Sequence, residues 1–234
     1  MEPIATLHTN LKGKFGLPRQ GMVSALRGTI VFEEPYRNPD ALRGLEDFSH
    51  LWILWEFSEV RRKREEARAR GEDVPFQPTV RPPRLGGNKR FGVFATRSPN
   101  RPNPIAISAV KIASIDLHTP DGPVIVVEGA DLMDGTPIYD IKPYIPYSDA
   151  IPDAAEGFTA QLDDLTLDVS FPDDLLSRIP EEHRAELCGV LRNDPRPQYQ
   201  RDPERVYGLT YLSWDIRFRI DGTALTVVDV VPVR

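Results

Sequence analysis

The chain has 234 residues but only one cysteine, Cys188, and four histidines. A single thiol excludes an internal disulfide and any multi-cysteine zinc site. His8, His50, His118 and His183 are far apart, with no HxxxH-type pair, so no metal centre is expected. No stretch approaches the roughly eighteen consecutive apolar residues of a membrane span. Met1 to Asn10 lacks the apolar core of a signal peptide, so the expected compartment is the cytoplasm, with no membrane partner. Also missing are a GxGxxG turn, a P-loop and a nucleophile elbow. Catalysis, if present, would therefore rely on a cofactor that brings its own reactivity. One further scarcity is local: between Pro78 and Pro104 there is no acidic residue.

That stretch, PTVRPPRLGGNKRFGVFATRSPNRPNP, holds six of the twenty-three prolines and six basic side chains. Proline fixes φ and removes a backbone donor, which bars regular structure from most of it. Only Arg90 to Thr96 alternates well enough for a short strand. Two stiff loops presenting arginines are expected on either side, suited to phosphate or carboxylate. The net charge is −6, yet this stretch is +6, while Ile105 to Pro172 sets Lys111 and Lys142 against twelve acids. Such asymmetry predicts one anion-binding face on an acidic body.

Elsewhere the patterns are mostly of strands. Glu2 to Thr9, Thr29 to Glu33 and the dense Phe48 to Phe57 read as strands, the last buried on both faces or lining a closed barrel. In that setting His50 reads as a core histidine. Asn38 to Leu45 fits a short helix capped by Asn38. Val60 to Val74 would be a helix polar all round, either a solvated insertion or an arm for RNA phosphates. Ile105 to Leu117 and Pro123 to Val127 form a hairpin at Asp121-Gly122. Asp134 to Pro137 is a tight turn, and Ile138 to Lys142 a strand on which Asp140 and Lys142 share a face. They would address a small polar ligand or form a structural salt bridge. After Pro152, Leu165 to Phe171 alternates, Asp173 to Leu191 is helical, and Val206 to Ile220 and Ala224 to Val231 flank Asp221-Gly222 as a hairpin. The expected fold is mainly β with an α+β appendage: residues 1–150 as the main unit and 151–234 as a smaller C-terminal one.

RPPRLGGNKRFGVFATRSPNRPNPI at Arg81 to Ile105 resembles the signature of the TsaA-like (TrmO-type) tRNA methyltransferases. The resemblance continues in PRQG (Pro18 to Gly21), LRGLEDFSHLWIL (Leu42 to Leu54), DLMDGTPIYDIKPYIPY (Asp131 to Tyr147) and DPRPQY (Asp194 to Tyr199). It implies a single-sheeted β-barrel core, a homodimer and S-adenosylmethionine as cofactor. The implied reaction is N6-methylation of N6-threonylcarbamoyladenosine beside the anticodon of threonine tRNA. By resemblance the cofactor is held by Pro18, Arg19, Gln20 and Gly21; by Arg97, Ser98, Arg101 and Asn103; and by Asp134, Gly135, Thr136 and Pro137. Ser58 and Glu59 stand where the family places further cofactor contacts, with different side chains.

For catalysis the first candidate base is Asp140 and the second Asp134, with Lys142 or Arg97 pairing with the threonyl carboxylate. Positioning by Asp140 is favoured over proton removal, because alignment alone suffices for an in-line displacement. Arg81, Arg84, Lys89 and Arg90 are expected to meet RNA phosphates. Phe91, Phe94, Tyr139 and Tyr144 are either stacking platforms for bases or core. A non-catalytic RNA-binding barrel and a small-anion-binding module remain as alternatives.

Overall fold

A computed structural model describes residues 1–18, 26–82, 89–161, 166–196 and 202–233, with Gln161 as backbone only. Six strands among them close a barrel: β1 (Ala5–Thr9), β2 (Arg27–Phe32), β3 (His50–Glu56), and then, after a two-stranded ribbon of β4 (Thr79–Val80) and β5 (Phe91–Gly92), β6 (Ile105–Thr119), β7 (Gly122–Glu128) and β8 (Thr136–Pro143). The order around the barrel is β1-β2-β7-β6-β3-β8, and every pairing is antiparallel. Alternation explains why it closes. Ala5, Leu7, Ile30, Leu51, Ile53, Val110, Ile125, Val127 and Ile138 are fully buried and form one core, and the residues between them face outward. Gly28 is inward too, where a Cβ would press on Leu7.

Several expectations are corrected. Arg90 to Thr96 is a strand only at Phe91–Gly92; Val93–Ala95 is a 3-10 turn that buries Val93. His50 is half-exposed rather than core, its Nδ1 2.8 Å from Ser49 Oγ, because it points out of the barrel. Asn38 caps as expected, accepting from the Asp40 N–H, but the helix is a 3-10 turn over Pro39–Leu42. Thr136 and Pro137 belong to β8 rather than to the turn before it, Pro137 sitting near a strand start where a missing N–H is tolerated.

The polar insertion is helix α1 (Ser58–Ala69), which has no buried residue. After a short α2 (Pro146–Asp149) comes the C-terminal sheet, β10 (Tyr207–Tyr211), β11 (Trp214–Asp221) and β12 (Ala224–Pro232), with β9 (Asp168–Ser170) added in parallel at the edge. The expected single helix is two, α3 (Asp173–Leu176) and α4 (Glu181–Arg192), because Pro180 cannot continue the first. The segment before Asp221-Gly222 is likewise two strands, reversing at Leu212 with φ +52.

This second core buries Leu187, Val190, Leu209, Tyr211, Ile216, Phe218 and Ile220, but it also takes Leu11 and Leu26 from the N-terminal segment. Buried Glu186 secures that junction. Its carboxylate accepts from Asn10 Nδ2 (2.9 Å), Tyr211 Oη (2.8 Å) and the Arg27 N–H (3.1 Å). Three donors satisfy a charge that burial alone would penalise.

Candidate functional site

One cleft of about 2180 Å³ brings most of the singled-out segments together. Its floor is the outer face and end of β3 and β6, including Leu54, Trp55 and Ile107. It is lined by the N-terminal loop Lys14 to Pro18 and by the basic, proline-rich stretch around Arg97 and Ser98. Ala155 to Thr159 and Asp194 to Arg196 line it as well. The volume exceeds the roughly 300–1,000 Å³ of a one-ligand pocket, leaving room for a cofactor and part of a larger acceptor.

Local chemistry explains the shape. Gly16 has φ +87, and a Cβ there would run into Leu209, so only glycine lets the loop lie this close to the second core. Phe91 packs on Phe158 with ring centroids 4.5 Å apart, joining two of the lining segments. Arg196 Nε lies 3.1 and 3.2 Å from the two carboxylate oxygens of buried Asp194, which adopts φ +46. A non-glycine residue in that region is held there by its surroundings. Pro195 stiffens the turn further.

Pro18, Arg97, Ser98 and Arg101 line the cleft, as do Arg81 and Arg90 of the expected RNA-binding group. Arg19, Gln20, Gly21 and Arg84 lie outside the described residues. Arg101 differs from expectation in its direction. Its Nη1 donates to the carbonyls of Thr96 (2.6 Å), Ser98 (3.4 Å) and Val93 (3.5 Å), and its guanidinium lies 5.9 Å from the Phe94 ring centroid. The side chain folds its own loop. Asn103 and Lys89 are exposed and do not line the cleft.

The DGTP turn does not reach the cleft. Asp134 lies 3.2 Å from His8 Nδ1 and accepts from the Thr9 N–H at 3.2 Å; the Gly135 N–H donates to the Leu7 carbonyl, and Thr136 Oγ1 to that of Met133. These contacts, with Pro137 in β8, tie the turn to β1. Asp134 and Asp140 are separated as well, since Thr136 to Asp140 alone spans about 13 Å of strand. They cannot share one substrate atom. Asp140 instead accepts from Lys142 Nζ at 2.8 Å and stands directly across from cleft-lining Leu54. The ion pair is present, but neither Asp140 nor Lys142 lines the cleft.

Ser58 and Glu59 form the first turn of α1 and do not line the cleft. Glu59 pairs with Lys14, whose hydrogen bond holds the carboxyl below the usual glutamate range. Tyr144 is half-exposed, its ring packed 5.5 Å from Trp52 and 6.3 Å from His50. Tyr139 donates to buried Glu56, and burial, followed by that carboxylate, pushes its hydroxyl pKa up. Phe94, 71% exposed, is the most exposed of the four expected aromatics, and Phe91 also lines the cleft.

Asp131 was not expected. It lines the cleft and accepts from Ser108 Oγ at 2.5 Å, while Ser108 accepts from Trp55 Nε1 at 2.9 Å. A buried indole and hydroxyl thus aim a carboxylate at the cleft. The available signal was its place at the head of DLMDGTP, directly after an apolar strand. Among the described residues no group of three or more His, Cys, Asp or Glu side chains is placed to hold a metal.

The donor set suits an adenosylated amino acid. Apolar walls (Phe15, Leu17, Phe91) suit the purine, Asp131 an ammonium or sulfonium, and the arginine rim a carboxylate.

The family model described as the tRNA-methyltransferase O N-terminal domain matches residues 6–150, and the TrmO C-terminal domain matches 164–233. The tRNA (adenine(37)-N6)-methyltransferase of Escherichia coli is 38% identical over 242 aligned positions, covering 99% of this chain and 97% of the relative. That of Eikenella corrodens is 43% identical over 180, covering 76% and 94%. The crystal structure of TrmO from Pseudomonas aeruginosa superposes with a TM-score of 0.73 at 28% identity, covering 98% of this chain and 97% of the other. With matched domains over most of its length and relatives this similar, the chain belongs to the TrmO tRNA-methyltransferase family.

Proposed function

We propose that this protein is an S-adenosylmethionine-dependent methyltransferase acting on N6 of adenosine 37 of tRNA, and that its acceptor is N6-threonylcarbamoyladenosine in threonine tRNA. The observation that carries the reading is the cleft itself: aromatic walls, a carboxylate fixed by Ser108, and a rim of arginines. The cofactor supplies a methyl group on a sulfonium, so in-line displacement needs no covalent help from the chain. The protein's task is alignment, worth effective molarities on the order of 10⁵–10⁸ M. Asp131 attracts the donor's positive charge, and Pro18, Arg97 and Ser98 bound its seat. Asp140 Oδ accepts a hydrogen bond from the acceptor's exocyclic N–H and orients its lone pair, and the proton is lost to solvent after transfer. Lys142 and Arg97 pair with the threonyl carboxylate. Arg81 and Arg90 follow RNA phosphates.

We also assign a homodimer acting in the cytoplasm, where tRNA is met. Phe76 (55% exposed), Phe94 and Ile105 (37%) give the rim an apolar surface suited to a second copy. Light scattering should return twice the chain mass; a monomer at micromolar concentration would remove this assignment. The function itself is tested by labelled-methyl transfer to threonine tRNA with and without the threonylcarbamoyl group. Transfer should require the group, and equal rates on both RNAs would refute the acceptor.

A further inference from the structure

Helix α1 has no apolar face, yet it is firmly attached. Its first turn pairs Glu59 with Lys14 of the N-terminal loop. Two residues on, Arg61 Nη1 donates to buried Glu56 Oε2 at 3.0 Å and to Tyr139 Oη at 3.3 Å, fixing the helix to the end of β3 and the middle of β8. Three residues later on the same face, half-buried Arg64 Nη1 donates to the carbonyls of Arg101 (2.6 Å) and Pro102 (3.4 Å).

Those two carbonyls belong to a loop poor in backbone donors. Pro99, Pro102 and Pro104 carry no N–H, and the Ser98 and Asn100 N–H groups go to the hydroxyls of Thr96 and Ser98, so Arg97 to Pro104 forms no regular turn or strand. Guanidinium groups supply the missing donors. Arg101 binds the carbonyls of Val93, Thr96 and Ser98 from within, and Arg64 binds the loop from behind. Beyond Arg64, Pro104 is tied by the Phe57 N–H at 2.9 Å, so the loop is held at its root as well.

We propose that Arg64 is a positioning residue: α1 is a brace that holds Arg97 and Ser98 at the cofactor cleft by donating to the loop's orphaned carbonyls. This rests on the assignment of the donor to that cleft. Without Arg64 the carbonyls turn to water, the loop samples more conformations, and apparent affinity falls by the fraction still competent. One charge-assisted hydrogen bond in a half-exposed setting predicts a loss of about five- to tenfold.

The experiment compares Arg64→Ala, Arg64→Gln and Arg64→Lys with Arg62→Ala, whose side chain pairs with Glu66 on the exposed face. Amide hydrogen exchange in the cofactor-free protein reads the order of Ser98, Asn100 and Arg101. Titration calorimetry with S-adenosylmethionine reads affinity, and turnover at saturating donor reads kcat. Arg64→Ala and Arg64→Gln should speed loop exchange and raise Kd about five- to tenfold, with kcat within about twofold and Tm little changed. Arg64→Lys, which keeps a donor, should restore most of both; Arg62→Ala should change neither. Unchanged loop exchange would overturn the brace. Faster exchange with unchanged affinity would uphold the brace, refute the donor site in this cleft, and so overturn Arg64 as a residue that positions for the donor.

Discussion

Replacing Ser108 by alanine removes two hydrogen bonds at once, and its effect can be worked out from the contacts. Ser108 is 3% exposed and Trp55 7% exposed, so water cannot take the lost acceptor's place at the indole. An orphaned buried N–H costs about 1–3 kcal/mol. The bond to Asp131 is charge-assisted, worth about 1.5–3 kcal/mol, but Asp131 is half-exposed and water recovers part of that. A net loss of about 3 kcal/mol follows, equivalent to a Tm fall of roughly 6–12 °C for a chain of this size. The mechanism has a sharper signature than the magnitude. In a Trp55→Phe background there is no indole N–H to strand, so Ser108→Ala should cost about 1–2 kcal/mol less than it does alone. Urea unfolding followed by circular dichroism gives the four midpoints, and Asp131, no longer pinned, should also bind S-adenosylmethionine more weakly. Additivity of the two substitutions within about 0.5 kcal/mol would refute the coupled chain.

Gly16→Ala should destabilise by about 3 kcal/mol, combining a left-handed φ with overlap at Leu209, and thermal unfolding checks it; a loss below about 1 kcal/mol would show the loop yields easily. Asp140→Asn breaks only a half-exposed ion pair, so stability should change by less than about 1 kcal/mol. Its turnover separates the roles: a fall of about 10²–10⁴-fold would mark proton removal, whereas the orienting role predicts a smaller loss. Changing Arg81 and Arg90 together to alanine should flatten the salt dependence of tRNA binding by about 0.7 per single-stranded phosphate released, and an unchanged slope would move the RNA face elsewhere. Hydrogen bonds from Lys111 and then Arg27 hold the Glu128 carboxyl below the ordinary glutamate value. Its stabilisation is thus complete above about pH 4.3 and is lost as pH falls through the lower folded value. Acid titration of Glu128→Gln should show a shallower loss of stability below about pH 4, and an identical curve would assign the acid transition to other carboxylates.

Strands whose two faces meet different surroundings were legible. TIVFE and WDIRFRI each place their buried residues where alternation predicts, because one face meets a core and the other does not, whereas IAISAV turns Ile105 and Ile107 outward and buries Ser108 and Val110. Closure was not readable from these local patterns, since the pairing of Ala5 with Ile138 joins residues with no local relation. Pro180 was a readable breaker that the apolar spacing of Leu175 to Leu191 outweighed. At the cleft, composition announced the arginines but not their directions. Arg101 and Arg97 look alike in RSPNR, and only the folded loop shows that one guanidinium binds its own backbone. Asp134 and Asp140 are near neighbours in sequence, yet the strand between them carries them apart, a consequence of extended geometry that motif reading overlooks.

The strand order also sets a timetable for synthesis. β1 emerges first but is closed on one side only by β8, so the barrel cannot complete before residue 143 has left the ribosome. Leu11 and Leu26 wait longer, since Leu209, Ile216 and Phe218 of their core come from the last thirty residues. The cleft lining at Lys14 to Pro18 is therefore seated only once β10 and β11 are made, although its residues precede them in the chain. Apolar segments held back in this way must stay soluble in the nascent chain, and distant pairings of this kind fold slowly. The sequence suits that wait: Lys12 and Lys14 lie between Leu11 and Phe15, giving the early segment charge until its late partners arrive.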